Sequence, residues 1–261
     1  MNLVLAHGFL GFQRLFGVDY FNGVEQFLRQ AFPRLTLRIL VTQVNPVGRI
    51  HVRGRELGQQ ITAGLKAGTL DPAERVHIIA HSMGGLDARF CLSPGNPDNV
   101  AAHVASLSTI STPHHGSAMA DLLTSQGRLS ETWGARASAV LDLGGGLLDL
   151  TTPGAARFNE QYPNHPAVSY FSYAGRGRDG TPTTSLLMLP GYHVLKRAGA
   201  VASDGLVSVE SAAWGESPED PWSADHADEI GHDLNGGPRA KPAFDYLARY
   251  QAILERLAAL R

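Results

Sequence analysis

Apolar and polar positions follow two rhythms along the chain. Short aliphatic or β-branched runs at Leu3 to Ala6, Leu35 to Val44, Arg75 to Ala80, Val104 to Ile110 and Val168 to Ala174 end at turn residues or charges, which predicts buried strands. Between them the apolar residues recur at helical spacing. Phe21, Val24, Phe27 and Leu28 share a face over Tyr20 to Gln30, and Leu57, Ile61 and Leu65 stand four apart over 53 to 67, before Gly68 in the usual stop position. Gly84 to Leu92 reads as a third helix, and Ala243 to Leu260 as a last one with Leu247, Tyr250, Leu254 and Leu257 inward. Strands separated by helices predict an α/β fold, a mostly parallel sheet with helices on both faces. Ser117 to about Asn164 breaks the alternation: it is helical by composition yet carries Gly144, Gly145 and Gly146 inside VLDLGGGLLDL. We read it as an insertion over the sheet, at about 117–164 within one domain covering 1–261, and not as a separate domain.

Composition narrows the function classes. The 261 residues are 43% hydrophobic and 18% charged, enough for a sizeable core. A balance of 22 Lys plus Arg against 24 Asp plus Glu gives a net charge of -2, which argues against a nucleic-acid partner. Cys91 is the single cysteine, so neither an intramolecular disulfide nor a thiolate zinc cluster is expected. No apolar run approaches the roughly 20 residues of a membrane span. The opening MNLVLAHGFL lacks the basic region and cleavage site of a signal peptide, which predicts a cytoplasmic chain, or a secreted one if a leader precedes it.

The strongest chemical signal is Val76-His77-Ile78-Ile79-Ala80-His81-Ser82-Met83-Gly84-Gly85. A serine at the end of a buried strand, with small residues two positions away on each side and a helix following, is a nucleophile elbow. The tight turn exposes the hydroxyl, and the helix N-terminus aims amides at a developing anion. A serine needs a base and the base needs an orienting carboxylate, in the chain order Ser, Asp or Glu, His. Asp204, in Ser203-Asp204-Gly205, is the candidate acid. His226 and His232 both follow it, and chain order leaves both open. Of His7, His81, His114 and His115, the adjacent His114 and His115 lack the helical spacing of metal ligands, and no catalytic metal or cofactor is expected. Asp87 and Arg89 are expected to form a structural ion pair or hydrogen bonds beneath the site.

Five segments together resemble one family: Leu5-Ala6-His7-Gly8-Phe9, Ala80 to Gly85, Ser111-Thr112-Pro113-His114-His115-Gly116-Ser117, Ser203 to Val207, and His226-Ala227-Asp228-Glu229-Ile230. Their order and spacing are similar to the bacterial true lipases of the Pseudomonas and Burkholderia type in the α/β-hydrolase superfamily. The resemblance implies an α/β-hydrolase fold with a helical lid. It implies Ser82 as nucleophile, Asp204 as acid and His226 as base, with the backbone amides of Phe9 and Met83 as the oxyanion hole. Phe9, Leu10, Leu122 and Leu123 are then expected to contact substrate, and Asp228 maps to a structural calcium ligand. Of the further calcium positions, Asp179 is the one candidate upstream, and His232 stands where the family has Gln.

The same resemblance implies hydrolysis of acylglycerol esters and contact with a lipid–water interface. Leu122, Leu123, Trp133, Val140, Leu141, Leu143, Leu147 and Leu148 would form the apolar face of the lid, with Gly144 to Gly146 as its hinge. A short-chain carboxylesterase, or an acyltransferase or polyester depolymerase on the same triad, is the alternative. A non-catalytic binding module is the reading from another class.

Overall fold

The computed structural model of the protein describes residues 1–11, 14–15, 18–125, 144–177, 184–235 and 243–260. Strands β1 (Asn2–Ala6), β4 (Arg38–Val41), β5 (Val76–His81), β6 (Val104–Ile110) and β7 (Ser169–Tyr173) form a sheet in the order β4-β1-β5-β6-β7. Every pairing in it is parallel. Two short strands, β2 (Arg14–Leu15) and β3 (Val18–Asp19), pair antiparallel outside it. Helix α1 (Val24–Ala31) links β1 to β4, α2 (Ile50–Lys66) links β4 to β5, and α3 (Gly84–Leu92) links β5 to β6.

The two-residue period of the strands divides the core into two layers. Leu3, Leu5, Ile79 and Phe171 face α1 and the final helix, while Val4, Ile78, Ala80 and Leu107 face α2 and α3. Leu57 and Ile61 are fully buried in the second layer, and each such side chain contributes roughly 1.5–3 kcal/mol of burial free energy.

Between β6 and β7 stand α4 (Ala118–Ser125), α5 (Gly144–Asp149) and α6 (Thr152–Gln161). They occupy the expected insertion, but residues 126–143, including Trp133, Val140, Leu141 and Leu143, lie outside the described residues. A Cβ at Gly146 would stand 2.6 Å from the Gly48 carbonyl oxygen and 2.9 Å from the Phe9 ring, so close packing requires glycine at this position. Helix α7 (Leu189–Arg197) was not among the expected elements, and it contains Pro190 and Gly191, residues that commonly interrupt helices. Pro190 instead occupies the first turn, where a missing N–H costs nothing. A four-residue turn, α8 (Val209–Ala212), and α9 (Tyr246–Ala258) complete the chain.

Several boundaries differ from expectation; helix α2, for example, starts at Ile50 and not at residue 53. Helix α1 starts at Val24, not Tyr20, because Gly23 takes a left-handed φ of 69°. Strand β4 is only four residues, Arg38 to Val41, the stretch paired with Asn2 to Leu5. Helix α9 starts at Tyr246, where the Asp245 carboxylate accepts the Ala248 amide at 3.1 Å. No helix among the described residues is long and apolar enough to cross a membrane.

Candidate active site

Ser82 follows the last residue of β5 and sits at φ 55°, a left-handed conformation that costs a non-glycine residue about 1–3 kcal/mol. The surroundings hold it there. Its N–H donates to the Ile110 carbonyl at 2.9 Å, and its own carbonyl accepts the Thr112 hydroxyl at 2.7 Å. A Cβ at Gly84 would stand 2.6 Å from the Ala6 carbonyl oxygen and 2.7 Å from that of His7. Gly85 packs as tightly on Thr109 and Thr112. The two glycines therefore let α3 start directly behind the serine, with Met83 fully buried at its head.

Asp204 and His226 meet as a pair. His226 Nδ1 lies 2.7 Å from Asp204 Oδ2, and the His226 backbone N–H donates to the Asp204 carbonyl at 3.0 Å. The second carboxylate oxygen of Asp204 accepts the amides of Leu206 and Val207 at 2.8 and 2.7 Å. Asp204 is thus both an Asp-Gly turn residue and the partner of a histidine, with Gly205 at φ 99° completing the turn. His232 is placed elsewhere: its Nε2 lies 2.9 Å from the Tyr20 backbone oxygen. The structure therefore pairs His226, and not His232, with Asp204.

Beneath and beside these groups runs a buried polar floor. Arg53, fully buried on α2, donates through Nε to Asp87 Oδ2 at 2.8 Å. Its Nη2 reaches the carbonyls of His7 and Gly8 at 2.9 and 3.1 Å. Gly8 O also takes the Gly11 amide at 3.1 Å and lies 2.9 Å from His7 Nδ1. On the other side the Gly8 N–H donates to the Tyr20 hydroxyl at 3.0 Å. That hydroxyl lies 2.7 Å from His81 Nδ1, and His81 Nε2 lies 3.1 Å from Glu229 Oε2. Glu229 Oε1 accepts the Ser111 hydroxyl at 2.6 Å. Burial lowers His7 to about 4 and raises Asp87 to about 6, in the latter case against the pull of Arg53. Burial also pushes His81 down and, with Asp204 nearby, pushes Glu229 up.

Above the floor opens a cavity of about 1010 Å³, lined by Ser82 and His226 together with mostly apolar side chains. Of the four residues expected to contact substrate, Phe9, Leu10 and Leu123 line this cavity and Leu122 does not. On α4 the residues Met119, Ala120 and Leu123 share the cavity face, and Leu122 is turned about 100° away from Leu123. Leu147 and Leu150 contribute from the insertion, and Leu187, Met188 and Leu234 contribute from segments that the lid reading did not include.

Asp87 and Arg89 do not pair with each other. Arg89 lies 3.5 Å from the centre of the Trp214 ring and donates to Asn159 Oδ1 at 2.9 Å, whereas Asp87 is held by Arg53. The calcium expectation finds no oxygen cradle among the described residues. Asp228 Oδ2 faces the Asp225 amide at 3.3 Å, and Asp225 Oδ1 accepts the amides of Ala227 and Asp228, both at 2.9 Å. His232 offers an imidazole already turned to Tyr20, and Asp179 lies outside the described residues. This donor set does not fit a calcium ion, which prefers six to eight oxygens.

Relatives with this architecture are named as lipases. The chain is 34% identical over 221 residues to triacylglycerol lipase 2 of Saccharomyces cerevisiae, covering 84% of this chain and 64% of the relative. It is 30% identical over 262 residues to a triacylglycerol lipase of Vibrio cholerae, covering 87% of this chain and 78% of the relative. With that of Pseudomonas fragi it shares 30% identity over 277 residues, covering 91% and 90%. The chain belongs to the triacylglycerol lipase family. The profile of the PGAP1-like alpha/beta domain family also matches residues 55–197. Among solved structures, Staphylococcus hyicus lipase superposes with a TM-score of 0.72 at 20% identity, over 99% of this chain and 95% of that one. A metagenomic carboxyl esterase reaches 0.73 at 18% identity, over 99% and 76%. These likenesses establish the α/β-hydrolase fold.

Set against the lipase family motifs, the sequence reading missed Arg53, Tyr20, Ser111 and the buried role of Glu229. A signal for Arg53 was present. It stands four residues before Leu57 and eight before Ile61, so a cation occupies the apolar stripe of α2, where burial demands a partner. Tyr20 carried no comparable signal, since its partners come from residues 8 and 81.

Proposed function

We propose that the protein is a serine carboxylic-ester hydrolase, a lipase acting on acylglycerol esters through a Ser82 acyl-enzyme. The observation that carries this reading is the 2.7 Å contact of His226 Nδ1 with Asp204 Oδ2, beside a cavity that His226 lines together with a serine held at φ 55°. In the first step His226 Nε2 takes the proton of the Ser82 hydroxyl as Oγ attacks the ester carbonyl carbon. Asp204 keeps the imidazole in the tautomer with hydrogen on Nδ1 and stabilises the imidazolium that forms. The tetrahedral oxyanion is held by the amides of Phe9 and Met83, each such donor being worth about 3 kcal/mol. Collapse breaks the C–O bond to the alcohol, which leaves with the proton from His226. Water, deprotonated by the same histidine, then releases the acid and restores Ser82. No step is routed through a metal or cofactor.

The acyl chain is assigned to the apolar cavity, where Phe9, Leu10, Leu123 and Leu147 offer area without polar demands. Leu10 and Leu187 line this cavity while remaining 57% and 72% exposed, an apolar rim that supports contact with a lipid–water interface. We assign the lid to the 117–164 insertion of a single domain.

Initial rates on p-nitrophenyl esters from acetate to palmitate, below and above substrate aggregation, test the reading, with Ser82→Ala as the blank. The variant is expected to lose at least about 10⁴ of kcat while keeping its melting temperature. Rates that rise with chain length and jump at aggregation support the lipase reading. A maximum at two to four carbons without a jump makes the protein a short-chain esterase, and hydrolysis by Ser82→Ala overturns the triad.

A further inference from the structure

We infer that Tyr20 is a positioning residue that fixes the oxyanion loop against the nucleophile, a role resting on the ester-hydrolase reading above. The donor assigned to the loop is the Phe9 amide, and its direction is set by Gly8. In a planar trans peptide the Gly8 carbonyl and the Phe9 N–H point in opposite directions, so whatever holds the carbonyl aims the amide. Three donors hold that carbonyl: Arg53 Nη2 at 3.1 Å, the Gly11 N–H at 3.1 Å and His7 Nδ1 at 2.9 Å. The preceding peptide is held at one edge, its His7 carbonyl accepting the same Arg53 Nη2 at 2.9 Å, across a glycine that resists rotation less than any other residue. The Tyr20 hydroxyl holds the other edge of that peptide by accepting the Gly8 N–H at 3.0 Å, so both edges are fixed.

Glycine is required at position 8 for a related reason. A Cβ there would stand 2.6 Å from Ser82 Cβ and 2.8 Å from the Tyr20 oxygen. The phenol and the nucleophile therefore press on the same Cα, and Tyr20 sets the gap between loop and serine. The hydroxyl is itself held. It lies 2.7 Å from His81 Nδ1, and His81 leads to Glu229 at 3.1 Å, whose Oε2 stands 4.0 Å from His226 Nδ1. The Tyr20 backbone oxygen takes His232 Nε2 at 2.9 Å, a second tie to the loop that carries His226. One residue thus joins the oxyanion loop, the neighbour of the nucleophile and the segment bearing the base.

Tyr20→Phe removes the oxygen and leaves the ring packed between His7, Phe21 and His81. On p-nitrophenyl butyrate, kcat is expected to fall roughly tenfold to a hundredfold with KM within about twofold, less than removal of a whole oxyanion donor. Affinity for a boronic acid, whose serine adduct carries a tetrahedral oxygen in the oxyanion position, is expected to fall in step with kcat. A competitive ester-isosteric ketone-free amide, which forms no adduct, is expected to keep its affinity. A parental kcat in Tyr20→Phe overturns the inference. So does a fall in which melting temperature and both affinities drop together, which marks a general structural role. If the variant does not fold, 3-fluorotyrosine and 3,5-difluorotyrosine at position 20 keep the shape while making the oxygen a poorer acceptor. A stepwise fall of kcat along that series supports the role, and a flat series overturns it. Ser82→Ala in parallel separates the two levels: hydrolysis by that variant removes the underlying reading, whereas a silent Ser82→Ala beside a fully active Tyr20→Phe removes only this inference.

Discussion

The floor and the walls of the cavity are built on opposite principles. The floor consists of His7, Arg53, Asp87, Tyr20, His81 and Glu229, all buried and each hydrogen-bonded to a named neighbour. The walls are apolar side chains such as Leu123, Leu147 and Leu187, which touch through contacts without direction. A hydrogen bond weakens steeply with angle and distance, whereas apolar contact tolerates shifts of a side chain. The contrast teaches that this fold places its directional interactions where atoms must be aimed, and its forgiving ones where a variable chain must lie.

The comparison predicts a steep loss when the floor is broken. Arg53→Met removes the partner of a fully buried carboxylate, and such a broken pair costs about 3–5 kcal/mol, to be read from urea unfolding at pH 7. A loss under 1 kcal/mol would show that the floor is as forgiving as the walls.

A second and smaller effect appears on the pH axis. Burial raises Asp87 from 3.8 to about 6, so the native state binds this proton more tightly than the unfolded chain. Its contribution therefore favours folding below about pH 4 and is lost as the pH rises through about 6. Stability measured from pH 4 to 7 is expected to slope down by at most ~3 kcal/mol from this group, and Asp87→Asn is expected to flatten that slope. An unchanged slope in Asp87→Asn would remove the carboxyl from the comparison.

The smallest effect belongs to the wall. Leu123→Ser on α4 is expected to lower kcat/KM for a long-chain ester about tenfold and for a butyrate ester less than about twofold, with little change in melting temperature. Equal losses on both esters would mean that the wall also aims the reacting atoms.

The sequence rendered the floor and the walls unequally. The β5–Ser82–α3 unit was legible to the residue over Gly84 to Leu92, because strand period, small residues and helix start lie within one continuous stretch. Asp204 and His226 needed a resemblance to be paired, since the residues between them carry no spacing rule for a loop-to-loop contact. Helix α7 was not among the expected elements, and it contains Pro190 and Gly191, whose local meaning depends on where a helix begins. The remainder of the floor is a matter of tertiary contact alone. Tyr20, read as part of a helix, sits before Gly23 because the left-handed glycine stops α1 from extending back to it.

The bond between His81 and Glu229 spans 148 residues of chain, and that from Ser111 to Glu229 spans 118. Closing loops of such length costs entropy before any contact repays it, so these links close late in folding. During synthesis Ser82 leaves the ribosome long before residue 226, so a nascent chain carries the proposed nucleophile without its proposed base. On the triad proposed above, a ribosome-bound chain that has not yet reached His226 is expected to be silent toward esters.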